Sequence, residues 1–316
     1  MWRDLIFSLG IVMPLFVVLF LGYGLRRFEF LNASFAAAGT KFVFYAALPA
    51  TLARSIYRSD IHALFDARFV AFLLVVTVVT FFIIWAGAAV FIKDKPILGA
   101  FVQTAFRGNV AFMGLPLLIN LAGDAGALRG AMMVTFALPV VNVLSIVVLT
   151  VCDKDNSQIH VGRICLSIIK NPLIIGILAG VGLSLSGVTL PVAAGTSVNY
   201  IADMATPLAL LCLGASLSFA GFDVRFKYAI WASVVKVVAL PVVFVGLGYV
   251  LGFRGYDLAA LMVVGGVPSA IAGYAMVVQM GGDGYVAGTI VMISTLMSAF
   301  TLTVFIYAFR VLGVLG

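Results

Sequence analysis

Runs of apolar residues, separated by short polar breaks, extend from one end of the chain to the other. Most are about 20 residues or longer, which is enough for a helix to cross the hydrocarbon core of a bilayer. The pattern predicts an all-α polytopic membrane protein with ten transmembrane helices. The predicted spans are Leu5–Leu25, Ala33–Ala53, Phe69–Ile92, Ile97–Leu121, Ala127–Val151, Ile164–Leu185, Val198–Phe219, Tyr228–Leu251, Leu258–Met280 and Tyr285–Phe309.

The fourth span contains a cation, a proline and two glycines in the stretch RGNVAFMGLP, Arg107–Pro116. Because proline removes a backbone donor and glycine loosens the helix, we expect two half-helices with a break between Asn109 and Pro116. Unwound backbone inside a bilayer is tolerated where it is packed in protein or lines a cavity. The stretch is therefore a candidate binding site.

The two halves of the chain resemble each other at shifts of 158 or 159 positions. The same shift of 159 places Pro268 opposite Asn109 and predicts a second break over Gly265–Ala270. Five spans per half predict two inverted repeats, residues 1–153 and 163–316, joined by a polar connector, 154–162. The matching pairs are Pro14 with Pro172, Pro49 with Pro207, Gly114 with Gly273, Gly123 and Asp124 with Gly282 and Asp283, and Met133 with Met292.

Composition narrows the class of protein. The chain is 64% hydrophobic and 10% charged, which leaves too little polar surface for a soluble domain. Its net charge of +7 comes from single or paired basic residues between apolar runs, so no nucleic-acid partner is predicted. Basic residues outside the spans divide eight to seven between the two sides, which slightly favours extracytoplasmic termini. No nucleotide-binding, hydrolase or metal-ligand motif is present, so no enzyme activity, cofactor or metal is predicted.

Charged residues inside apolar spans are candidates for function, since burying a charge costs several kcal/mol. Arg107 directly precedes the first break, where it would either line an anion path or cap freed carbonyls. Lys236 lies in the eighth span, where it would pair with an acid such as Asp203 or reach the membrane interface. Asp203 is also a candidate for proton relay.

Asn109 is the leading candidate for binding a carboxylate, because an amide at the first turn of a half-helix donates without a permanent opposite charge. The alternative is a structural amide that binds freed backbone. In the second break the same role would fall to Ser269 and the N–H groups after Pro268. The remaining candidates are Gly108, Gly114 and Pro116 at the first break, with Gln103, Ser294 and Ser298 as cavity-lining or helix-to-helix contacts.

Several motifs together resemble one family. They are Asn109 with Met113-Gly114-Leu115-Pro116-Leu117-Leu118, Ala47-Leu48-Pro49, Asp203 with Leu213-Gly214, Pro241 with Gly252-Phe253-Arg254-Gly255, Val267-Pro268 and Ser294-Thr295-Leu296-Met297-Ser298. This set is similar to the auxin efflux carrier family, which includes plant PIN carriers and bacterial malate and malonate permeases. The resemblance implies inverted five-helix repeats with crossing fourth and ninth helices, as in NhaA-type antiporters and bile-acid symporters. It also implies a scaffold group and a transport group, elevator-type movement and extracellular termini.

In the plant PIN carriers the asparagine that Asn109 matches binds the carboxylate of auxin. This chain lacks their long loop after the fifth helix and has Ser269-Ala270 where they have Gln-Gly. The resemblance to bacterial members implies a small organic anion such as malate or malonate, carried across the inner membrane.

The sequence therefore predicts a secondary transporter of small organic anions, with the substrate at the crossover of the fourth and ninth helices. Its transport would be driven by the gradient and potential or coupled to protons or sodium. The alternative is a sodium-coupled organic-anion symporter of the bile-acid type and, more remotely, a channel or a receptor. A homodimer and a monomer are both left open.

Overall fold

The computed structural model describes residue 14 and residues 17–57, 66–153, 170–216 and 225–311. These residues form helices joined by turns, with one isolated backbone bridge as the β pairing among them. In chain order the helices are α1 (17–27), α2 (Ala33–Phe42), α3 (Leu48–Tyr57), α4 (Ala67–Phe91), α5 (Lys95–Phe106), α6 (Leu115–Met132), α7 (Leu138–Val151), α8 (Pro172–Ser186), α9 (Val192–Asp203), α10 (Ala205–Ser216), α11 (Phe226–Val234), α12 (Leu240–Val250), α13 (Tyr256–Gly266), α14 (Ile271–Gln279) and α15 (Gly284–Val311).

The prediction of a polytopic helical membrane protein is confirmed. Within the described ranges, six helical stretches are long and apolar enough to cross a membrane. Much of the predicted first span, the start of the sixth and the polar connector 154–162 lie outside the described residues. The six stretches are Ala33–Arg54, Ala67–Phe91, Leu128–Val151, Val192–Ala215, Phe226–Val250 and Gly284–Phe309.

Prolines inside these helices are accommodated by π-helical turns, in which an N–H binds the carbonyl five residues earlier. Proline has no N–H, and in an α-helix its ring clashes with the carbonyl four residues earlier. The wider turn removes that conflict, as where the Leu240 N–H binds the Val235 carbonyl ahead of Pro241. Four such turns each precede a Leu-Pro pair: Val43–Ala47, Val110–Gly114, Met133–Ala137 and Val235–Ala239.

Helices pack backbone to backbone at glycines, as is common in membranes. A Cβ atom on Gly176 of α8 would lie 2.6 Å from the Pro49 carbonyl oxygen, so α3 and α8 tolerate no larger residue there. A Cβ on Gly214 of α10 would lie 1.9 Å from the Leu19 carbonyl oxygen of α1. These close contacts join the first-half helices to second-half helices.

Ion pairs tie helix ends together outside the apolar region. Arg129 on α6 donates to Asp66, which caps α4, at 2.8 Å and to Asp257 on α13 at 2.7 Å. Its guanidinium also lies over the Phe69 ring, 4.7 Å from the centroid. The Phe69 N–H and Arg129 lower the pKa of the Asp66 carboxyl, so this cap stays ionised. One arginine therefore joins the starts of α4 and α13.

The C-terminal end of α13 is pressed against α12. A Cβ on Gly265 would lie 2.6 Å from both the N and Cα atoms of Pro241. Main-chain atoms cannot move aside as the tip of a flexible side chain can. The absence of a side chain at Gly265 therefore sets how closely this helix end approaches the first turn of α12.

We expect Gly265→Ala to destabilise the protein by about 1–3 kcal/mol, since the added methyl forces the two backbones apart. Gly246→Ala is the matched control on α12, because no atom lies within 4 Å of its added Cβ. It should leave stability unchanged or slightly raised. Thermal unfolding of both purified variants in detergent measures the difference, and equal midpoints would contradict the packing argument.

Candidate functional site

The structure contains both predicted helix breaks, each shorter than expected. Helix α5 ends at Phe106, residues 107–109 are extended or irregular, and the chain becomes helical again at Val110. The second break separates α13, which ends at Gly266, from α14, which begins at Ile271. Pro116 lies in the first turn of α6, which follows directly on the π-helical turn Val110–Gly114. The prediction that the first break extends to Pro116 is therefore wrong.

The two breaks are bonded directly to each other. The Asn109 N–H donates to the Pro268 carbonyl at 2.8 Å, and the Ala270 N–H donates to the Arg107 carbonyl at 3.0 Å. Between these bonds Gly108 and Ser269 face each other as an antiparallel bridge. Groups that each interrupted helix leaves unpaired are thus satisfied by the other helix, as burial in an apolar interior requires.

Ser269 extends this bonding to two more elements. Its hydroxyl donates to the Thr104 carbonyl at 2.7 Å, near the end of α5. Its N–H donates to the Ser294 hydroxyl of α15 at 3.1 Å, and that hydroxyl donates to the Val291 carbonyl. Ser269 is fully buried and makes these contacts inside the protein. It therefore links the second break to α5 and α15.

Lys236 occupies the π turn before α12 and is fully buried. Its ammonium donates to the carbonyls of Gly265, at 2.6 Å, and Val264, at 3.1 Å, in the last turn of α13. A helix C-terminus leaves its last carbonyls unpaired and carries a partial negative charge. The side chain thus lies against the end of α13, at the break within the ninth span, rather than at a membrane interface.

The predicted charge pair between Lys236 and Asp203 does not form, and that prediction is wrong. Asp203 ends α9 with its side chain 65% exposed and accepts from Arg54 at 2.6 Å. An exposed carboxylate would lose its hydration by moving to a buried ammonium, whereas the carbonyls of α13 are already buried beside Lys236. Asp203 therefore belongs to the contact between α3 and α9, through its ion pair with Arg54.

Gln103 and Arg107 are four residues apart and lie on one side of the end of α5. They face Gly273 and Met276 on α14. The Gln103 amide lies against Gly273, where a Cβ would come within 2.9 Å of Nε2, and Arg107 donates to the Met276 sulfur. The end of α5 and the start of α14 therefore pack through two polar side chains.

Arg107 has no anionic partner in the described part of the chain. It is 3% exposed, its Nε is without a hydrogen bond, and the thioether that accepts from it is a weak acceptor. No carbonyl among the described residues accepts from it, so the capping interpretation gains no support. The guanidinium is a buried positive charge beside the first break, and no described residue compensates it with a negative charge.

Asn109 is also buried, and its side-chain donor is unused among the described residues. Its backbone carbonyl accepts from the N–H groups of Met113 and Gly114, at 3.0 and 3.2 Å, at the start of the second half-helix. Its Nδ2 has no acceptor among the described residues, and the residue is 5% exposed. The side chain does not cap its own helix. Two neighbouring side chains of the first break therefore offer unused N–H groups.

A small cavity adjoins the first break. Its volume of about 30 Å³ is enough to hold water. A dicarboxylate needs considerably more room, so binding one here would require the surrounding helices to separate. The lining includes Gly108 and Val264 from the two broken spans, Thr77 and Thr80 of α4, and Met133 and Phe244.

The other predicted residues are also buried. Gly114 is buried in the first broken span, with Val263 of α13 at 3.3 Å from where its Cβ would be. Ser298 is buried on α15 and donates to the Thr295 carbonyl, and neither it nor Gln103 nor Ser294 lines the small cavity.

Sequence reasoning missed Thr77 and Thr80, although two hydroxyls three residues apart in an apolar span were visible. It also missed Met276, which carries no distinguishing signal.

Interrupted helices that meet inside an apolar bundle are characteristic of membrane transport proteins. The family model described as "Membrane transport protein" matches residues 7–306, and the chain belongs to that family. This confirms the resemblance to the auxin efflux carriers drawn from the sequence motifs. The family assignment indicates a transporter rather than an enzyme.

Relatives are found in bacteria and archaea. The chain is 26% identical to "Uncharacterized transporter YfdV" of Escherichia coli strain K12 over 280 residues, 85% of this chain and 87% of the relative. It is 25% identical to a protein of Rhizobium meliloti named "Putative malonate transporter", over 66% of each chain. An "Uncharacterized transporter" of Methanothermobacter thermautotrophicus is 25% identical over 66% of this chain and 67% of its own.

We expect Ser269→Ala to cost about 1–3 kcal/mol of stability, because it leaves the Thr104 carbonyl buried without its side-chain donor. Ser197→Ala makes the same chemical change on α9, where an exposed hydroxyl donates to the Ala193 carbonyl at 2.9 Å. It should have little effect. Thermal unfolding midpoints of the two variants compare them, and an equal loss in both would remove Ser269 from the linkage between the breaks.

Proposed function

We propose that this transporter is a secondary carrier of small organic anions, with the carboxylate bound at Arg107 and Asn109 beside the paired breaks. The broken fourth and ninth spans would cross within two inverted five-helix repeats, and transport would proceed by elevator-type alternating access. The substrate class would be short dicarboxylates, of which malonate is the first to test, since one relative is named for it.

The observation that carries this proposal is the condition of Arg107. Among the described residues the Arg107 guanidinium, which is 3% exposed, donates only to a thioether, and such a charge is costly to bury unless an anion joins it. Two residues further on, the Nδ2 of Asn109 has no acceptor among the described residues. An organic carboxylate supplies acceptors for both groups and neutralises the charge.

The charge of the interior points the same way. Arg107 and Lys236 are buried ionisable cations, and none of the aspartates and glutamates whose side chains the structure describes is buried with them. The carbonyls of α13 partly compensate Lys236, which leaves the positive potential centred on Arg107. Such a potential attracts anions and repels cations.

Movement of the helices is part of the proposal because the adjoining cavity is too small for a dicarboxylate. The substrate would enter when the helices that carry the breaks shift against α2, α3 and α10. Half-helix ends and unwound backbone at the centre of a bundle are the usual site of such coupling in secondary transporters.

The proposal is tested by uptake of labelled malonate into liposomes containing the purified protein, with and without a sodium gradient. Saturable uptake in the absence of sodium is the expected result. An absolute requirement for sodium would favour a symporter of the bile-acid type instead, and flux that never saturates would favour a channel. No uptake and no binding of malonate, malate or monocarboxylates would contradict the proposal.

Asn109→Ala should weaken malonate binding by roughly 10-fold or more, the loss expected for one hydrogen bond to a charged group. Asn142→Ala is the control, because Asn142 is equally buried but bonds the Leu138 carbonyl on α7. It is expected to lower stability without changing affinity. Calorimetric titration of both proteins measures the affinities, and a change shared by both would remove Asn109 from the site.

Arg107→Gln should reduce uptake of dianions more than uptake of monoanions, since the lost charge matters most for the more highly charged substrate. Lys93→Gln removes an exposed cation at a helix end and serves as the control for a general charge effect. Competition of malonate and acetate against labelled malonate separates the two losses. Equal losses for both anions would assign Arg107 a packing role.

A further inference from the structure

Lys236 holds an unusual position for a buried cation. In the described part of the chain its ammonium makes no ion pair, and both of its hydrogen bonds go to backbone carbonyls, those of Val264 and Gly265. It is also packed against the first break, because a Cβ on Gly108 would lie 3.0 Å from its Nζ. One charged side chain therefore touches both interrupted spans.

The carbonyls that Lys236 occupies form the kind of site that binds metal cations in other transporters. The C-terminal end of a half-helix carries partial negative charge, and such carbonyls, with unwound backbone, coordinate sodium in many secondary carriers. The end of α13 offers at least two such oxygens, both pointing at Nζ. Here the site is filled by a cation that belongs to the chain itself.

The equivalent end of the first broken span is treated differently. The Thr104 carbonyl near the end of α5 accepts from the neutral hydroxyl of Ser269. Hydroxyl and ammonium both satisfy a carbonyl, so hydrogen bonding alone does not explain a lysine at the second position. What the ammonium adds is a full positive charge at the break.

We propose that Lys236 is a tethered substitute for a coupling cation: its ammonium occupies a carbonyl site for a monovalent metal ion at the end of α13. Two consequences follow. The first is that the natural protein needs neither sodium nor potassium to hold the breaks together. The second is that a substitution which removes the ammonium and leaves its space empty exposes a site for a monovalent cation. The second consequence extends to cation-dependent transport only if the proposed anion transport is correct.

The binding part is tested on the purified full chain in detergent, without any organic anion. Unfolding midpoints are measured in sodium, potassium and choline chloride at equal ionic strength for the natural protein, Lys236→Ala and Lys236→Met. Alanine leaves room for an ion between the Val264 and Gly265 carbonyls and Gly108. Methionine is nearly as long as lysine, so it removes the charge but fills the space.

The natural protein should have the same midpoint in all three salts. Lys236→Ala should be destabilised in choline and recover by about 3–5 °C in sodium or potassium, whereas Lys236→Met should be destabilised equally in all three. In liposomes, Lys236→Ala should show several-fold faster malonate uptake with sodium or potassium than with choline, and the natural protein a ratio near one.

Three results would overturn the proposal. One is selective stabilisation of the natural protein by sodium or potassium, and another is an identical response of the alanine and methionine variants to the three salts. The third is failure to recover Lys236→Ala in any salt, since an added cation should replace the ammonium. If the natural protein transports no anion, the proposed function fails, while the unfolding midpoints still decide whether the cation site exists.

Discussion

Backbone groups inside an apolar bundle must be paired, and this requirement organises the centre of the molecule. Each interrupted span leaves N–H and C=O groups that a continuous helix would have satisfied. The two breaks satisfy one another through Asn109 with Pro268 and Ala270 with Arg107. Each break therefore relies on the other for part of its backbone hydrogen bonding. Pro268 suits this role because the bond uses its carbonyl and does not need the N–H it lacks.

The two buried cations of the described interior are treated in opposite ways. Lys236 has two carbonyl acceptors, both from a helix end whose partial charge is negative. Arg107 donates to the Met276 sulfur, and its Nε has no hydrogen-bond partner among the described residues. The fold therefore compensates the first cation, whereas the described residues supply no anion for the second. This difference is why the proposed anion site is placed at Arg107 and not at Lys236.

The breaks could be predicted from sequence because their causes are local. Proline, glycine and a cation within an apolar run oppose a continuous helix whatever surrounds them. The extent of the first break was not predicted, because the chain is already helical before Pro116, in the π turn Val110–Gly114. The hydrogen-bond partners of Lys236 could not be predicted by the same reasoning. Sequence reveals side chains that carry charge, whereas the acceptors proved to be the carbonyls of Val264 and Gly265, which every residue possesses.

The bonding at the centre also limits how this transporter can move. Separating the two breaks would expose the carbonyls of Arg107 and Pro268 together with their partner N–H groups, and would pull Ser269 from α5. Each lost partner in an apolar interior costs about 1–3 kcal/mol. Sliding the joined breaks past α2, α3 and α10 breaks none of these bonds. The interior therefore favours movement of both breaks as one unit over any opening between them, and a bound anion would travel with Arg107.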